Sequence, residues 1–122
     1  MPHEQCQALA ERTLVSLCVM SYNRRPFIRE SLESAFAQTY SPLEIVISDD
    51  CSQDGAFEII QSMAAAYRGP HTVIVNRNER NIGLIGNLNK LYSLARGELH
   101  FYHCDDDVSL PNRVEVMVDA WL

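Results

Sequence analysis

Four short apolar runs alternate along the chain with stretches in which apolar residues return every third or fourth position. Leu14-Val15-Ser16-Leu17-Cys18-Val19-Met20 is almost unbroken, the pattern of a strand covered on both faces of a parallel sheet, and it stops at Ser21-Tyr22-Asn23. Pro26 suits a first helical turn, and Ile28, Leu32, Ala35 and Phe36 follow at helical spacing, predicting a helix over 26–37. After Tyr40-Ser41-Pro42 a second buried run spans 43–48 and closes at Asp49-Asp50-Cys51-Ser52-Gln53-Asp54-Gly55, a cluster of turn and cap residues. Phe57, Ile60, Ala64 and Tyr67 mark one face of a second helix, stopped by Gly69-Pro70. A third strand over 72–75 leads into a polar, Asn-rich loop over 76–83. Leu84, Leu88, Leu91 and Ala95 then define a third helix, with Gly97 as its C-terminal cap. A fourth strand over 98–104 precedes a last helix, opened by Ser109-Leu110-Pro111 and carrying Val114, Met117, Val118 and Trp121 on one face.

Strands alternating with helices predict an α/β fold: a mostly parallel open sheet, strand order 3-2-1-4, with helices on both faces and right-handed crossovers. With 122 residues, 47% of them apolar, the chain supports one domain over 13–122 after a polar lead-in over 1–12. A net charge of −6 argues against nucleic acid as a partner, because phosphate backbones are held by clustered Lys and Arg. An acidic protein that takes an anionic ligand needs a metal bridge. No apolar stretch is long enough to cross a bilayer, and the first residues lack a signal-peptide core, so the sequence reads as cytoplasmic, any membrane association being left to other segments or partners. Cys6, Cys18, Cys51 and Cys104 are scattered without zinc spacing, which predicts free buried thiols.

The chemistry gathers where strands end. Asp105-Asp106-Asp107 closes the fourth strand, and carboxylates so crowded repel unless a cation, a helix N-terminus or hydrogen-bond donors offset them. Hard divalent ions such as Mg²⁺ or Mn²⁺ take such oxygens and keep positions open for phosphates. In open α/β sheets the ligand crevice lies beyond the strands' carboxyl ends, at the reversal of winding. The order 3-2-1-4 sets the triple aspartate beside Tyr22, with Asp50 next along the rim. Plainer roles compete: Asp49 or Asp54 capping the second helix, Asp107 capping the last, Tyr22 packing as a rim aromatic, and His100 and His103 as ordinary strand residues. Asn81-Ile82-Gly83 reads either as turn chemistry or as a border of the ligand.

In order along the chain, Ser21-Tyr22-Asn23, Ser34-Ala35-Phe36-Ala37-Gln38-Thr39-Tyr40, the Asp49-Asp50 turn, Asn81-Ile82-Gly83 with Asn87, Ala95-Arg96-Gly97-Glu98, and Cys104-Asp105-Asp106-Asp107 with Leu110-Pro111 resemble the nucleotide-binding half of family 2 glycosyltransferases, which have the GT-A fold. Two departures stand out. Cys51 replaces the usual Gly or Asn, and Cys104 takes the first position of an Asp-x-Asp-Asp metal motif. The resemblance implies a hexosyltransferase-like, inverting enzyme of polysaccharide biosynthesis that moves a sugar from a nucleotide-diphospho-sugar, UDP foremost, to a saccharide or lipid-linked acceptor. It implies donor binding by Met20, Tyr22, Arg24, Asp49, Asp50, Asn87 and Asp105, and Mn²⁺ or Mg²⁺ held by Asp106 and Asp107. The catalytic base of the family lies beyond the metal motif, so the sequence is expected to be a donor-binding piece without it, its last helix covered by a missing segment or by a second copy. Two other classes compete: a receiver-like Mg²⁺-binding domain, whose expected acids after the first strand are missing here, and a non-catalytic interaction domain. A Rossmann dinucleotide module is disfavoured because no Gly-x-Gly-x-x-Gly follows the first strand.

Overall fold

In the computed structural model, which describes residues 13–121, four strands pair side by side and in parallel: β1 (Val15–Ser21), β2 (Leu43–Asp49), β3 (Thr72–Arg77) and β4 (Leu99–Cys104). Their order is β3-β2-β1-β4, as expected. Helices α1 (Arg25–Phe36), α2 (Ala56–Ala66), α3 (Gly83–Leu94) and α4 (Arg113–Trp121) alternate with them. The expected lead-in over 1–12, with Cys6, lies outside the described residues.

Strand side chains alternate between the two faces, and both faces are covered. Val15, Leu17 and Val19 of β1, with Ile45 and Ile47 of β2, join Ile28, Leu32 and Ala35 of α1, Ala56 and Ile60 of α2, and Val114 and Val118 of α4 in the larger core. Cys18 and Val46 point the other way and meet Leu91 of α3. Fully burying an aliphatic side chain of this size is worth roughly 1.5–3 kcal/mol, so the central strands anchor the fold.

Several local expectations are corrected. β3 runs on through Asn76 and Arg77, because Ser48 and Asp49 of β2 continue the ladder beside them. Leu84 does not face the core: it is 66% exposed, and Asn87 with Leu91 takes the buried face of α3. Gly97 is not a left-handed cap, since α3 closes at Ala95 in an extended conformation. Glycine is needed at 97 because a Cβ there would lie 2.6 Å from the Ser16 backbone nitrogen. The apolar face of α4 needs no outside cover at Val114 and Val118, which the core takes up; Val116 and Trp121 remain exposed. Of the described thiols only Cys18 is buried, while Cys51 and Cys104 are partly exposed.

Candidate functional site

The strands end level. Ser48 and Cys104 both pair with Met20, and Asn76 pairs with Ser48, so the polar residues that follow emerge along one rim. Between β1 and β4 the Tyr22 N–H donates to Asp105 Oδ2 at 2.7 Å, tying together the two loops on either side of the winding reversal. On the other side the Asp50 N–H donates to the Ser21 carbonyl at 2.8 Å.

A cleft of about 370 Å³ opens on this rim. Met20, Ser21 and Tyr22 form its β1 wall, with Arg24 just beyond; Asp50 comes from β2, Asn81, Gly83, Leu84 and Asn87 from the loop and first turns of α3, and Cys104 with Asp105 from β4. Six of the residues expected to bind the donor therefore share one cavity, Met20, Tyr22, Arg24, Asp50, Asn87 and Asp105, and Asn81 and Gly83 of the Asn-rich loop border it. Asp49, Asp106 and Asp107 do not line it.

Asp49 is fully buried behind the rim and builds the turn. Its Oδ1 accepts from Ser21 Oγ at 2.9 Å and Ser52 Oγ at 2.6 Å, its Oδ2 accepts from the Ser52 N–H at 2.8 Å, and Arg77 lies 4.0 Å away. Asp54 accepts from the Ala56 N–H at 3.0 Å and the Arg25 N–H at 2.9 Å, joining the starts of α2 and α1. Asp50 sits in the cleft as an acceptor. Its Oδ1 takes Asn78 Nδ2 at 3.0 Å and the Ile82 N–H at 2.9 Å, and its Oδ2 takes the Gly83 N–H at 3.0 Å. Gly83 presents that N–H from φ +84°, a backbone region in which glycine avoids the Cβ penalty.

Burial pushes the Asp105 carboxyl up to about 6, with the neighbouring Asp106 adding to the rise, while the Tyr22 N–H and Arg24 act the other way. Asp106 lies outside the cleft wall with its carboxylate 4.0 Å from the Arg24 guanidinium, both about half exposed. An ion pair so solvated contributes about 0–1 kcal/mol and is easily exchanged. Asp107 Oδ2 accepts the Cys104 N–H at 3.1 Å. Ligand atoms of Cys104, Asp106 and Asp107 all lie within 4.8 Å of one another. Two accessible carboxylates suit Mg²⁺ or Mn²⁺. Burial and the three adjacent aspartates raise the pKa of the Cys104 thiol. The donor set therefore fits a hard cation.

The segment that follows these aspartates is strapped down by the end of α1 and the residues just after it. Ser34 Oγ accepts the Ser109 N–H at 3.0 Å, and Gln38 donates to the Leu110 carbonyl at 2.8 Å while accepting the Val114 N–H at 3.0 Å. The Thr39 N–H donates to the Pro111 carbonyl at 2.9 Å. A second hollow of about 610 Å³ runs from Asp107 along α4 past Leu110, Arg113 and Met117. Of the strand-end polar groups it includes only Asp107.

Sequence reasoning missed Asn78, which bonds Asp50, and Leu84, which forms part of the cleft wall. Asn78 had a signal in its Asn-rich loop; Leu84 had none, its helical spacing matching that of the core leucines.

Residues 16–122 match glycosyl transferase family 2, and the chain belongs to that family. It is 34% identical over 104 residues to EpsE of Bacillus subtilis, which is named as a glycosyltransferase, covering 85% of this chain and 37% of EpsE. Among solved structures it resembles the mannosyltransferase PcManGT of Pyrobaculum calidifontis in complex with GDP-Man and Mn²⁺: TM-score 0.78, 26% identity, 90% of this chain and 32% of that one. S. aureus TarS 1–349 in complex with UDP gives a TM-score of 0.75 at 25% identity, over 86% of this chain and 31% of that one. The chain spans between 26% and 37% of the length of the first curated relatives it matches.

Proposed function

We propose that this chain binds a nucleotide-diphospho-sugar, a UDP-sugar foremost, together with Mn²⁺ or Mg²⁺, as the donor-binding part of an inverting glycosyltransferase acting on a saccharide or lipid-linked acceptor. The carrying observation is that Asp50 and Asp105, from opposite sides of β1, line one cleft whose mouth holds Arg24 against Asp106. The complexes of TarS with UDP and of PcManGT with GDP-Man and Mn²⁺ support the ligand class.

Asp50, already an acceptor from three protein donors, has lone-pair capacity left for an N–H of the base. Met20, Tyr22 and Asn87 shape the cleft around the nucleoside, Asp49 holds the turn that presents Asp50, and Asp105 faces the ribose or sugar. Arg24 leaves its weak pair with Asp106 for the diphosphate. Asp106, with Asp107 beside it, would hold the metal, which when bound stabilises the charge on the departing diphosphate as a Lewis acid. The bond that breaks joins the anomeric carbon to a diphosphate oxygen, and the acceptor hydroxyl supplies the new one. Its proton goes to a base assigned to none of the described residues, so transfer by these 122 residues alone is expected to be absent. Robust turnover with an added acceptor overturns that part.

Calorimetric titration of UDP, GDP and CDP with and without Mn²⁺ tests the reading. Metal-dependent binding of one nucleotide, lost in Asp106→Ala, supports it. Absence of binding, or binding indifferent to both metal and Asp106→Ala, favours a non-catalytic interaction domain.

A further inference from the structure

Behind the cleft lies a set of amides, Asn78 and Asn87 buried and Asn76 half-buried, whose hydrogen-bond directions are fixed by chemistry. Asn87 Nδ2 points at the Ser48 carbonyl at 3.0 Å, which can only accept, so Asn87 Oδ1 is the acceptor for Ser48 Oγ at 2.7 Å and Asn78 Nδ2 at 3.0 Å. The second hydrogen on Asn78 Nδ2 goes to the Asp50 carboxylate at 3.0 Å. Asn78 Oδ1 is thereby an acceptor, and Asn76 Nδ2 fills it at 3.0 Å. The chain Asn76 to Asn78 to Asp50 runs one way, each amide polarising the next. Asn78 itself does not line the cleft, and its backbone N–H is fixed to the Asp49 carbonyl at 2.9 Å.

We infer that Asn78 is a positioning residue for nucleotide recognition: its amide fork locks Asp50 to Asn87, setting the angle at which Asp50 meets the base. This rests on the donor-binding role proposed above. Without the fork, Asp50 keeps the Ile82 and Gly83 N–H groups and Asn87 keeps Ser48, but the one bond path joining the two side chains through Asn78 is gone, so each shifts independently of the other and binding must restore their mutual angle. Among the described residues, no hydrogen bond joins Arg24 or Asp106, at the diphosphate end, to Asn76, Asn78 or Asn87.

The test is a double-mutant cycle on the full chain, Asn78→Ala against Asp50→Asn, read by calorimetry with UDP, GDP and CDP and separately with inorganic pyrophosphate, all with Mn²⁺. Asn78→Ala is expected to weaken the preferred nucleotide about fivefold to tenfold, as for one hydrogen bond, and to leave pyrophosphate affinity unchanged. In the Asp50→Asn background its effect on the nucleotide should largely vanish. Asn78→Ser, which keeps one O–H donor, should retain part of the affinity and keeps the experiment readable should the alanine variant not fold. Equal loss of nucleotide and pyrophosphate, no loss at all, or a full effect persisting in Asp50→Asn overturns the positioning role. If Asp50→Asn itself leaves nucleotide affinity unchanged, the donor-site reading fails, and this inference with it.

Discussion

Cys51 holds a backbone φ of +64°, in the left-handed region that costs a non-glycine residue roughly 1–2 kcal/mol. Its thiol makes two long contacts, each 3.7 Å, donating to the Glu79 carbonyl and accepting from Gln53 Nε2. Cys51→Asn, a residue at ease there, is expected to stabilise the fold by about 0.5–1 kcal/mol, read from the urea midpoint. Gly97 is the opposite case. A methyl group at 97 meets backbone of β1, so Gly97→Ala is expected to cost about 1–3 kcal/mol in the same measurement. At this scale residue type was a good guide to chemistry and a poor one to placement. Asp49 and Asp50 are adjacent in sequence, yet one is consumed by Ser21 and Ser52 while the other lines the cleft. Nothing in the spelling of the pair separates them; the direction of each side chain at the end of β2 does.

Between elements, Gln38 is the strap that joins α1 to the loop after β4, and it is buried. Gln38→Ala orphans the buried Val114 N–H, at a cost of roughly 1–3 kcal/mol, and leaves the Leu110 carbonyl with the Arg113 N–H alone, and should lower the thermal midpoint and loosen the aspartate loop. His103 of β4 makes a second tie. The Ser31 hydroxyl gives its hydrogen to the Cys104 carbonyl, so His103 Nε2 donates to Ser31 Oγ at 2.8 Å, and Nδ1 accepts from Ser109 Oγ at 2.9 Å. Burial, then the Arg113 charge, lowers its pKa below the ordinary 6.5. The unfolded chain thus binds the proton first: the contribution of His103 is complete above about pH 6.5 and is lost as pH falls from there toward the lowered folded value. Asp105, raised to about 6, gains stability as pH falls through the same region, so the His103 decline is read by chemical denaturation as the difference between wild type and His103→Gln across that window. The elements themselves were legible, because runs buried on both faces and helical stripes differ in period. The face of α3 was not: with apolar residues at 84, 85, 88 and 91, spacing allows more than one face, and the Ser48–Asn87 bond selects the polar one.

For the whole molecule the expected behaviour is conditional stability. A ligand that binds only the folded state stabilises it by RT ln(1 + [L]/Kd), about 2.7 kcal/mol at one hundred times Kd. Nucleotide with Mn²⁺ should therefore raise the thermal midpoint, and EDTA should abolish that rise while leaving the nucleotide-free midpoint where it was. A nucleotide-induced rise that survives EDTA contradicts the metal reading.

The sequence by itself determined the alternation of strands and helices, the α/β class and the set of acidic groups at strand ends, because periodicity and residue chemistry are local. Tertiary structure decided which groups share a cleft. Asp50 and Asp105 are 55 positions apart in sequence, and only the parallel register of β2 and β4 on either side of β1 brings them to one rim. Asn78 became visible only in the same way, since its part depends on where two other side chains end, and hydrogen bonds are fixed in space and not in sequence.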